Sequence, residues 1–132
     1  MRPLASLICL LLGTACSDSP TGPTVALNTE FVLAPGNSAF IEDAPASVRF
    51  NRVTGDSRCP TDVVCIQGGD AIVNVTVTST SGSREHELHT GTMAPVRHDD
   101  LTITLVQLAP YPFSSGPIQP NDYRATLRVT RD

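Results

Sequence analysis

The sequence contains no tryptophan and no lysine, and charged residues make up only 17% of its 132 positions. All nine basic residues are arginine, against 13 acidic residues, which gives a formal net charge of −4. Because nucleic-acid binding depends on a basic patch or stripe, this balance argues against a DNA- or RNA-binding function. Aromatic residues are also few, at 5%, but an apolar fraction of 40% is too high for a disordered chain.

Long hydrophobic runs are missing as well, since no run reaches the roughly 20 residues that a membrane-spanning helix requires. A short and mainly apolar stretch, residues 4–12, follows Arg2 and precedes the small residues at 13–15. A secretory signal peptide typically has this order: a positively charged start, a short apolar run, and small residues before the cleavage site. We therefore predict that residues 1–15 are a signal peptide.

The end of this segment, Leu-Gly-Thr-Ala-Cys at residues 12–16, resembles the lipobox of bacterial lipoproteins. In that class the cysteine thiol receives a diacylglyceryl group, so the resemblance implies lipid attachment at Cys16. Two or more acyl chains anchor a protein stably to a membrane. Ser17 in place of aspartate favours the outer membrane by the sorting rule of well-studied bacteria. The alternative is ordinary secretion, with cleavage after Ala15. In either case we expect residues 16–24 to form a polar, flexible tether.

The four cysteines do not form two pairs, because Cys9 lies in the signal peptide and Cys16 is the predicted lipid site. Cys59 and Cys65 remain, and export to an oxidising compartment makes a disulfide between them the expected state. Such a small ring stabilises a fold by about 2 kcal/mol in the chain-entropy model, so its main role is to fix a loop. The C-x5-C spacing argues against a redox or zinc site.

Short runs with alternating apolar residues recur from residue 25 to the end, separated by turns rich in the 11 prolines and 9 glycines. Residues 71–78, 101–105 and 123–129 show the alternation most clearly, and no amphipathic helix pattern is present. We predict an all-β domain over residues 25–132, a single antiparallel, immunoglobulin-like β-sandwich of about seven short strands. A small β-barrel is the alternative. Residues 118–123 resemble the tyrosine corner of immunoglobulin-like sandwiches, although Tyr123 could equally be an ordinary strand residue.

Three sequence blocks together resemble a group of small, uncharacterised bacterial lipoproteins with a D-S-R-C-P…C block. The blocks are residues 56–71, 88–90 and 101–129, and the resemblance extends over nearly all of the predicted domain. It implies a lipoprotein but no activity. Relatives often carry tryptophan two residues after the second cysteine, where this chain has Gln67, and a partner that relied on this aromatic ring would bind this chain weakly.

A disulfide-stapled loop suits recognition, because a rigid loop loses little entropy on binding. We therefore predict a non-catalytic binding or assembly module with an envelope protein as its partner; a protease inhibitor is a special case. The candidate binding residues are Arg58, Pro60, Asp62, Val63, Val64 and Gln67. Val63, Val64 and Ile66 could be exposed or packed beneath the loop. An ion pair of Arg58 with Asp56 or Asp70 would order the loop.

A different function class is metal handling, since three histidines and a methionine lie close together in the sequence. Imidazole and thioether ligands would suit copper, with His86, His89, Met93 and His98 as candidates. In a strand, however, His86 and His89 point to opposite faces. The alternative is three solvated histidines on a polar hairpin and no cofactor. The sequence contains no Ser-His-Asp elbow and no phosphate-binding glycine loop, so an enzyme is not expected.

Overall fold

The computed structural model describes residues 22–132, and strands follow one another throughout that range. The predicted signal peptide, Cys16 and the first part of the tether lie outside the described residues. A 3-10 turn, Pro120–Asp122, precedes the last strand. In chain order the strands are β1 (Thr24–Val25), β2 (Glu30–Leu33), β3 (Ser38–Ile41), β4 (Ser47–Asp56), β5 (Ala71–Ser79), β6 (Gly82–His89), β7 (Val96–His98), β8 (Leu101–Ala109) and β9 (Arg124–Arg131).

The strands are divided between two sheets that share one apolar core. The first sheet has the order β1-β3-β4-β5-β6, and the second has the order β2-β9-β8-β7. Neighbouring strands are antiparallel except β1 and β3, which are parallel. Two packed sheets with separate members confirm the predicted β-sandwich and not the single closed sheet of the alternative.

The structure has nine strands in the described range, where the sequence pattern predicted about seven. The additional strands are short: β1 has two residues and β7 has three. In β7 the buried position is occupied by His98 and not by an apolar residue. The strand therefore has only Val96 as an apolar residue and lacks the alternation that predicts a strand from sequence. Both short strands lie at sheet edges, where few ladder contacts hold them.

The core is built from alternate residues of the long strands, as their sequence alternation predicts. Side chains that point to one face of a strand are spaced two residues apart, so one face can be fully apolar. On β5 and β9 the inward side chains are fully buried: Ala71, Val73, Val75, Val77, Ala125, Leu127 and Val129. Asn74, predicted to face outward, is also buried, and its Oδ1 accepts a hydrogen bond of 2.7 Å from Asn51.

The turn between β2 and β3 shows how proline and glycine set the strand ends. Pro35 and Gly36 occupy its two central positions, and the Asn37 amide donates to the Ala34 carbonyl at 3.0 Å. Gly36 has φ +88°, which the second central residue of a type II turn requires and which glycine adopts without strain.

Two long loops lie at the same end of the sandwich, which we call the loop end. The first, residues 57–70, joins β4 to β5 and contains Cys59 and Cys65. The second, residues 110–123, is rich in proline, contains the 3-10 turn and joins β8 to β9. The turns at residues 42–46, 80–81 and 99–100 lie at the opposite end. In the described residues, no helix has the length and hydropathy needed to cross a membrane.

Candidate binding surface at the disulfide loop

Cys59 and Cys65 form the predicted disulfide, and the neck of their loop is closed by hydrogen bonds. The Ser57 amide donates to the Asp70 carbonyl at 2.8 Å, and the Asp70 amide donates to Ser57 Oγ at 3.0 Å. Gly69 lies so close to Ser57 that a Cβ atom at this position would be 1.5 Å from the Ser57 carbonyl oxygen. The neck therefore requires glycine at position 69.

Arg58 forms an ion pair with Asp56, one of the two partners that the sequence suggested. Its Nε and Nη2 donate to the two carboxylate oxygens of Asp56 at 2.9 and 2.8 Å. Nη1 also donates to the Leu108 carbonyl at 2.8 Å, and Nη2 to the Pro110 carbonyl at 2.9 Å. The Arg58 side chain is only 7% exposed. Arg58 also lines a cavity beside the loop and so stays a candidate contact residue, while its guanidinium fastens the disulfide loop to the end of β8.

The Asp56 carboxylate also accepts a hydrogen bond of 2.9 Å from the Tyr123 hydroxyl. Burial raises the pKa of Asp56, but the hydrogen bonds from Arg58 and Tyr123 outweigh this effect and leave the pKa below its ordinary value. Burial and the bond to Asp56 raise the pKa of Tyr123 to about 12, so the phenol stays a donor. A tyrosine corner bonds to backbone instead, so that interpretation of Tyr123 was wrong.

The disulfide loop is also docked onto the proline-rich loop. The Thr61 amide donates to the Pro112 carbonyl at 3.0 Å. The Ser114 amide donates to Asp62 Oδ1 at 2.9 Å, and the Ser114 hydroxyl donates to Asp62 Oδ2. These hydrogen bonds from Ser114 hold the pKa of Asp62 below its ordinary value. Asp62 therefore ties the two loops together as well as lying at the predicted contact surface.

Apolar side chains project from both loops into solvent. Val64 and Ile66 are fully exposed, at 100% and 103%, and Val63 is 42% exposed. Tyr111 and Phe113 on the proline-rich loop are more than half exposed. The structure thus resolves the alternatives that the sequence left open, since these side chains do not pack beneath the loop. Large apolar side chains that stay exposed on a rigid loop are typical of contact surfaces.

A mainly apolar cavity of about 290 Å³ lies beside the disulfide loop. Cys59 and Gly69 line it from the loop, Leu108 and Tyr111 from the end of β8 and the following loop, and Met93 from the turn after β6. No sequence pattern predicts this cavity, because its walls come from segments far apart in the chain.

The two remaining candidate binding residues lie on the disulfide loop near this cavity. Pro60 is half-buried, and its carbonyl accepts a hydrogen bond of 3.3 Å from the Val63 amide. Gln67 is exposed. Pro60 therefore helps to shape the loop, whereas Gln67 is open to a partner.

The four candidate metal ligands are not brought together. His86 faces inward, with Nε2 at 3.2 Å from His98 Nδ1, whereas His89 Nδ1 lies 2.5 Å from Asp70 Oδ2. Met93 lines the cavity instead. Within residues 22–132, no group of three or more His, Cys, Asp or Glu residues is arranged to hold a metal ion. The alternative of three solvated histidines was also wrong, because His98 is buried.

His98 belongs to a chain of hydrogen bonds at the edge where β6 and β7 meet. Ser79 Oγ donates to Asp99 Oδ2 at 2.6 Å, so it accepts from His98 Nε2 at 3.0 Å. In neutral His98 this leaves Nδ1 as the acceptor for His86 Nε2. Although Ser79 lies beside an imidazole, Asp99 Oδ2 accepts its hydrogen bond from the serine and lies 3.8 Å from His98 Nε2, beyond hydrogen-bond distance. This differs from a catalytic triad, in which the carboxylate orients the imidazole.

Comparison with known proteins gave no match to any protein-family model, curated protein or solved structure. The candidate surface is therefore defined by the geometry of this chain alone. It consists of the disulfide loop, the proline-rich loop that supports it, and the cavity between the disulfide loop and β8.

Proposed function

We propose that this chain is a membrane-anchored lipoprotein of a bacterial cell envelope, one of the small lipoproteins that it resembles. It acts as a non-catalytic binding or assembly module for an envelope protein. The contact surface is the cavity beside the disulfide loop together with the side of the loop that lines it. The observation that carries this proposal is a mainly apolar cavity walled by a loop that a disulfide and contacts from both sheets hold in one conformation.

Rigidity is the first argument for a binding role. Arg58 connects the loop to β4 and β8, Asp62 connects it to Ser114, and the disulfide closes the ring. A loop of this kind gives up little conformational entropy when a partner binds, so more of the contact energy appears as affinity. A loop that served only to join two strands would not need so many ties.

The cavity gives the surface a place for an anchor from the partner. Binding energy at protein interfaces is concentrated where a large side chain fills a well-formed pocket and excludes water. The cavity of about 290 Å³ has apolar walls from Leu108 and Met93 and the Tyr111 ring at its edge, with Arg58 over the ring at 5.4 Å from its centroid. An aromatic or branched aliphatic side chain is the anchor that this cavity suits.

The anchoring part of the proposal rests on the sequence of residues 1–17 and is supported by the disulfide. A disulfide between Cys59 and Cys65 fits an exported domain, because such bonds persist in oxidising compartments. Lipid attachment at Cys16 holds the domain at a membrane surface, and Ser17 favours the outer membrane. The −4 net charge excludes the usual electrostatic basis for nucleic-acid binding.

Site-specific photo-crosslinking in living cells tests the binding role. A photoreactive benzoylphenylalanine replaces Gln107, an exposed residue at the cavity, and in a control it replaces Thr80 at the opposite end of the sandwich. We expect one dominant protein adduct from position 107 and none from position 80. The adduct should disappear when Met93→Glu places a charge at the cavity. Equal labelling from both positions, or an adduct unaffected by Met93→Glu, would contradict the proposal.

A further inference from the structure

We propose that the tip of the disulfide loop, formed by Val64 and Ile66, inserts into the phospholipid bilayer that holds Cys16. The inference rests on the lipid anchor of the proposed function and adds a second membrane contact to it. The tip and the cavity are different surfaces, so a bilayer at the tip leaves the cavity accessible from the side. The domain would then be held in a fixed orientation on the membrane and not tumble freely on its tether.

The exposure of the tip is the first observation. Val64 and Ile66 are aliphatic and fully exposed, whereas most large apolar side chains of the described residues lie in a shared core and the other exposed ones keep part of their surface covered. The equilibrium constant for transfer of one such side chain from water into hydrocarbon favours hydrocarbon by roughly tenfold or more. A projecting tip with two of them suits insertion into a fluid apolar layer.

The distribution of charge is the second observation. Residues 63–69 and residues 109–121 contain no charged side chain. Next to these stretches Arg58 is paired with Asp56, whereas the exposed carboxyl groups of Asp62 and Asp122 lie at their edges and would face the headgroup layer. A charged side chain would oppose entry into hydrocarbon. The exposed rings of Tyr111 and Phe113 beside the tip are of the kind that membrane interfaces favour.

The direction of the first strand is the third observation, and it identifies the bilayer as the occupant. β1 runs parallel to β3, and β3 runs antiparallel to β4. Since β4 ends at the loop end with Asp56, the chain enters β1 from the direction of the loop end. A membrane anchor that precedes β1 therefore approaches the domain from the side on which the tip projects.

The length of the tether is compatible with this arrangement. Gly22 follows Cys16 by six positions, and six residues reach at most about 21 Å. Gly22 packs against Ser38 of β3. Ser38 pairs with Arg49 on β4, and Arg49 pairs with Thr76 on β5, so Gly22 lies at the level of Thr76 along the strands. From Thr76 to Ala71 at the loop end β5 runs about 17 Å, at roughly 3.3 Å per residue. The anchor can thus reach the loop end, and the bilayer lies within contact of the tip.

Tryptophan fluorescence gives a direct test, because the chain has no tryptophan of its own. Ile66→Trp places a reporter at the tip, and Thr80→Trp places one at the opposite end as the matched control. The full lipidated chains are added to vesicles of phosphatidylethanolamine and phosphatidylglycerol that contain some brominated phosphatidylcholine. We expect the emission of the Ile66→Trp chain to shift to shorter wavelength and to be quenched by bromine, and that of the Thr80→Trp chain to do neither.

Flotation of the same samples separates failure of the inference from failure of the anchor. If the chain floats with the vesicles but the reporter at position 66 is no more quenched than that at position 80, the anchor stands and insertion is wrong. If the chain does not float, both the anchor and the insertion are wrong. A shift to shorter wavelength without quenching would mean that the tip is covered by protein, and this too would overturn the inference.

A second measurement removes the anchor and asks whether the tip binds by itself. In a Cys16→Ser chain, we expect weak sedimentation with the same vesicles, reduced about 100-fold by Val64→Asp with Ile66→Asp, since each side chain contributes about tenfold. The charge-matched control, Thr29→Asp with Thr80→Asp at the opposite end, should leave the binding unchanged. Equal effects of the two pairs would show that added charge, and not loss of the apolar tip, weakens binding, and would overturn the inference.

Discussion

The Tyr123 hydroxyl donates a hydrogen bond of 2.9 Å to the Asp56 carboxylate, and this contact joins the two sheets at the loop end. Asp56 is the last residue of β4 in the first sheet, and Tyr123 immediately precedes β9 in the second. The same carboxylate receives two hydrogen bonds from the guanidinium and one from the backbone amide of Arg58, which holds the disulfide loop. One carboxylate thus fixes the position of the loop relative to both sheets.

The first prediction removes the Tyr123 hydroxyl. Tyr123→Phe keeps the ring in the core but takes one hydrogen bond from a largely buried, ionised carboxylate. Hydrogen bonds to charged groups contribute about 1.5–3 kcal/mol, so we expect the free energy of unfolding to fall by about this amount at neutral pH. Urea-induced unfolding followed by circular dichroism measures the change.

Tyr111→Phe is the matched control for this substitution. Tyr111 is more than half exposed, so loss of its hydroxyl should change the free energy of unfolding by less than about 0.5 kcal/mol. Equal effects of the two substitutions would show that the bond between Tyr123 and Asp56 does not stabilise the fold.

The second prediction concerns Arg58. Arg58→Met fills a similar volume but leaves the Asp56 carboxylate without its cationic partner, with hydrogen bonds only from the Tyr123 hydroxyl and the backbone amide of residue 58. Removing one partner of a buried ion pair costs about 3–5 kcal/mol, and since the Asp56 side chain keeps 13% exposure we expect a loss near the lower end of that range. Protease cleavage within residues 57–70 should also become faster, because the loop loses its bonds to the Leu108 and Pro110 carbonyls.

Arg128→Met provides the comparison for Arg58. Arg128 lies 3.9 Å from Glu30 in an exposed pair, which contributes little because water screens both charges. We expect a change within about 0.5 kcal/mol and no change in loop cleavage. A loss for Arg128→Met as large as that for Arg58→Met would mean that net charge, and not the buried pair, accounts for the effect.

The sequence predicts those parts of the fold in which a local pattern, such as the alternation of apolar and polar residues along a strand, determines the structure. Val73, Val75 and Val77 alternate with polar residues because one face of β5 must be buried, and the structure places them in the core as predicted. The disulfide was predictable because Cys59 and Cys65 are the two cysteines that lie in the predicted domain. His86 and His89 were predicted to lie on opposite faces for the same period-two reason, and they do.

The contacts that shape the candidate site had no local signal. Asp62 binds Ser114 across 52 positions of sequence, and Tyr123 binds Asp56 across 67. Such pairs depend on which loops the topology brings to one end, and no periodicity encodes that. The ion pair of Arg58 with Asp56 was suggested by the sequence, whereas the bonds of Arg58 to the Leu108 and Pro110 carbonyls reach across 50 and 52 positions and had no such signal.

The third prediction tests the neck of the disulfide loop. Gly69→Ala places a methyl group 1.5 Å from the Ser57 carbonyl oxygen, so the backbone must move and the hydrogen bonds between Ser57 and Asp70 must open. We expect a loss of stability of at least about 2 kcal/mol, the range of substitutions that strain a backbone. Amide hydrogen exchange at Ser57 should become faster. Gly68→Ala is the control, because no atom lies within 4 Å of a Cβ at that position. Equal exchange rates in the two variants would contradict the close approach of Gly69 to Ser57.

The fourth prediction concerns the histidine pair. Burial lowers the pKa of His86 from its ordinary 6.5, and the nearby charges of His98 and Arg84 lower it further. The folded state therefore binds fewer protons than the unfolded state. The free energy of unfolding should be highest above pH 6.5, decrease as the pH falls below that value, and level off below the pKa of folded His86. Denaturant unfolding at a series of pH values between 7.5 and 4.5 measures this decrease.

His86→Gln is the variant that assigns the decrease to this residue. Glutamine can still donate to His98 Nδ1 but does not titrate, so the decrease between pH 6.5 and 4.5 should become shallower. His89→Gln changes a histidine on the opposite face of β6, paired with Asp70, and should keep the decrease. The carboxylates with lowered pKa, Asp56, Asp62, Asp70 and Asp99, weaken the fold only as the pH falls to about 4 and below, so they do not obscure this window. If the free energy of unfolding of His86→Gln falls with pH as steeply as that of the parent chain, the acid sensitivity arises from another residue. The fold would then not oppose protonation of His86.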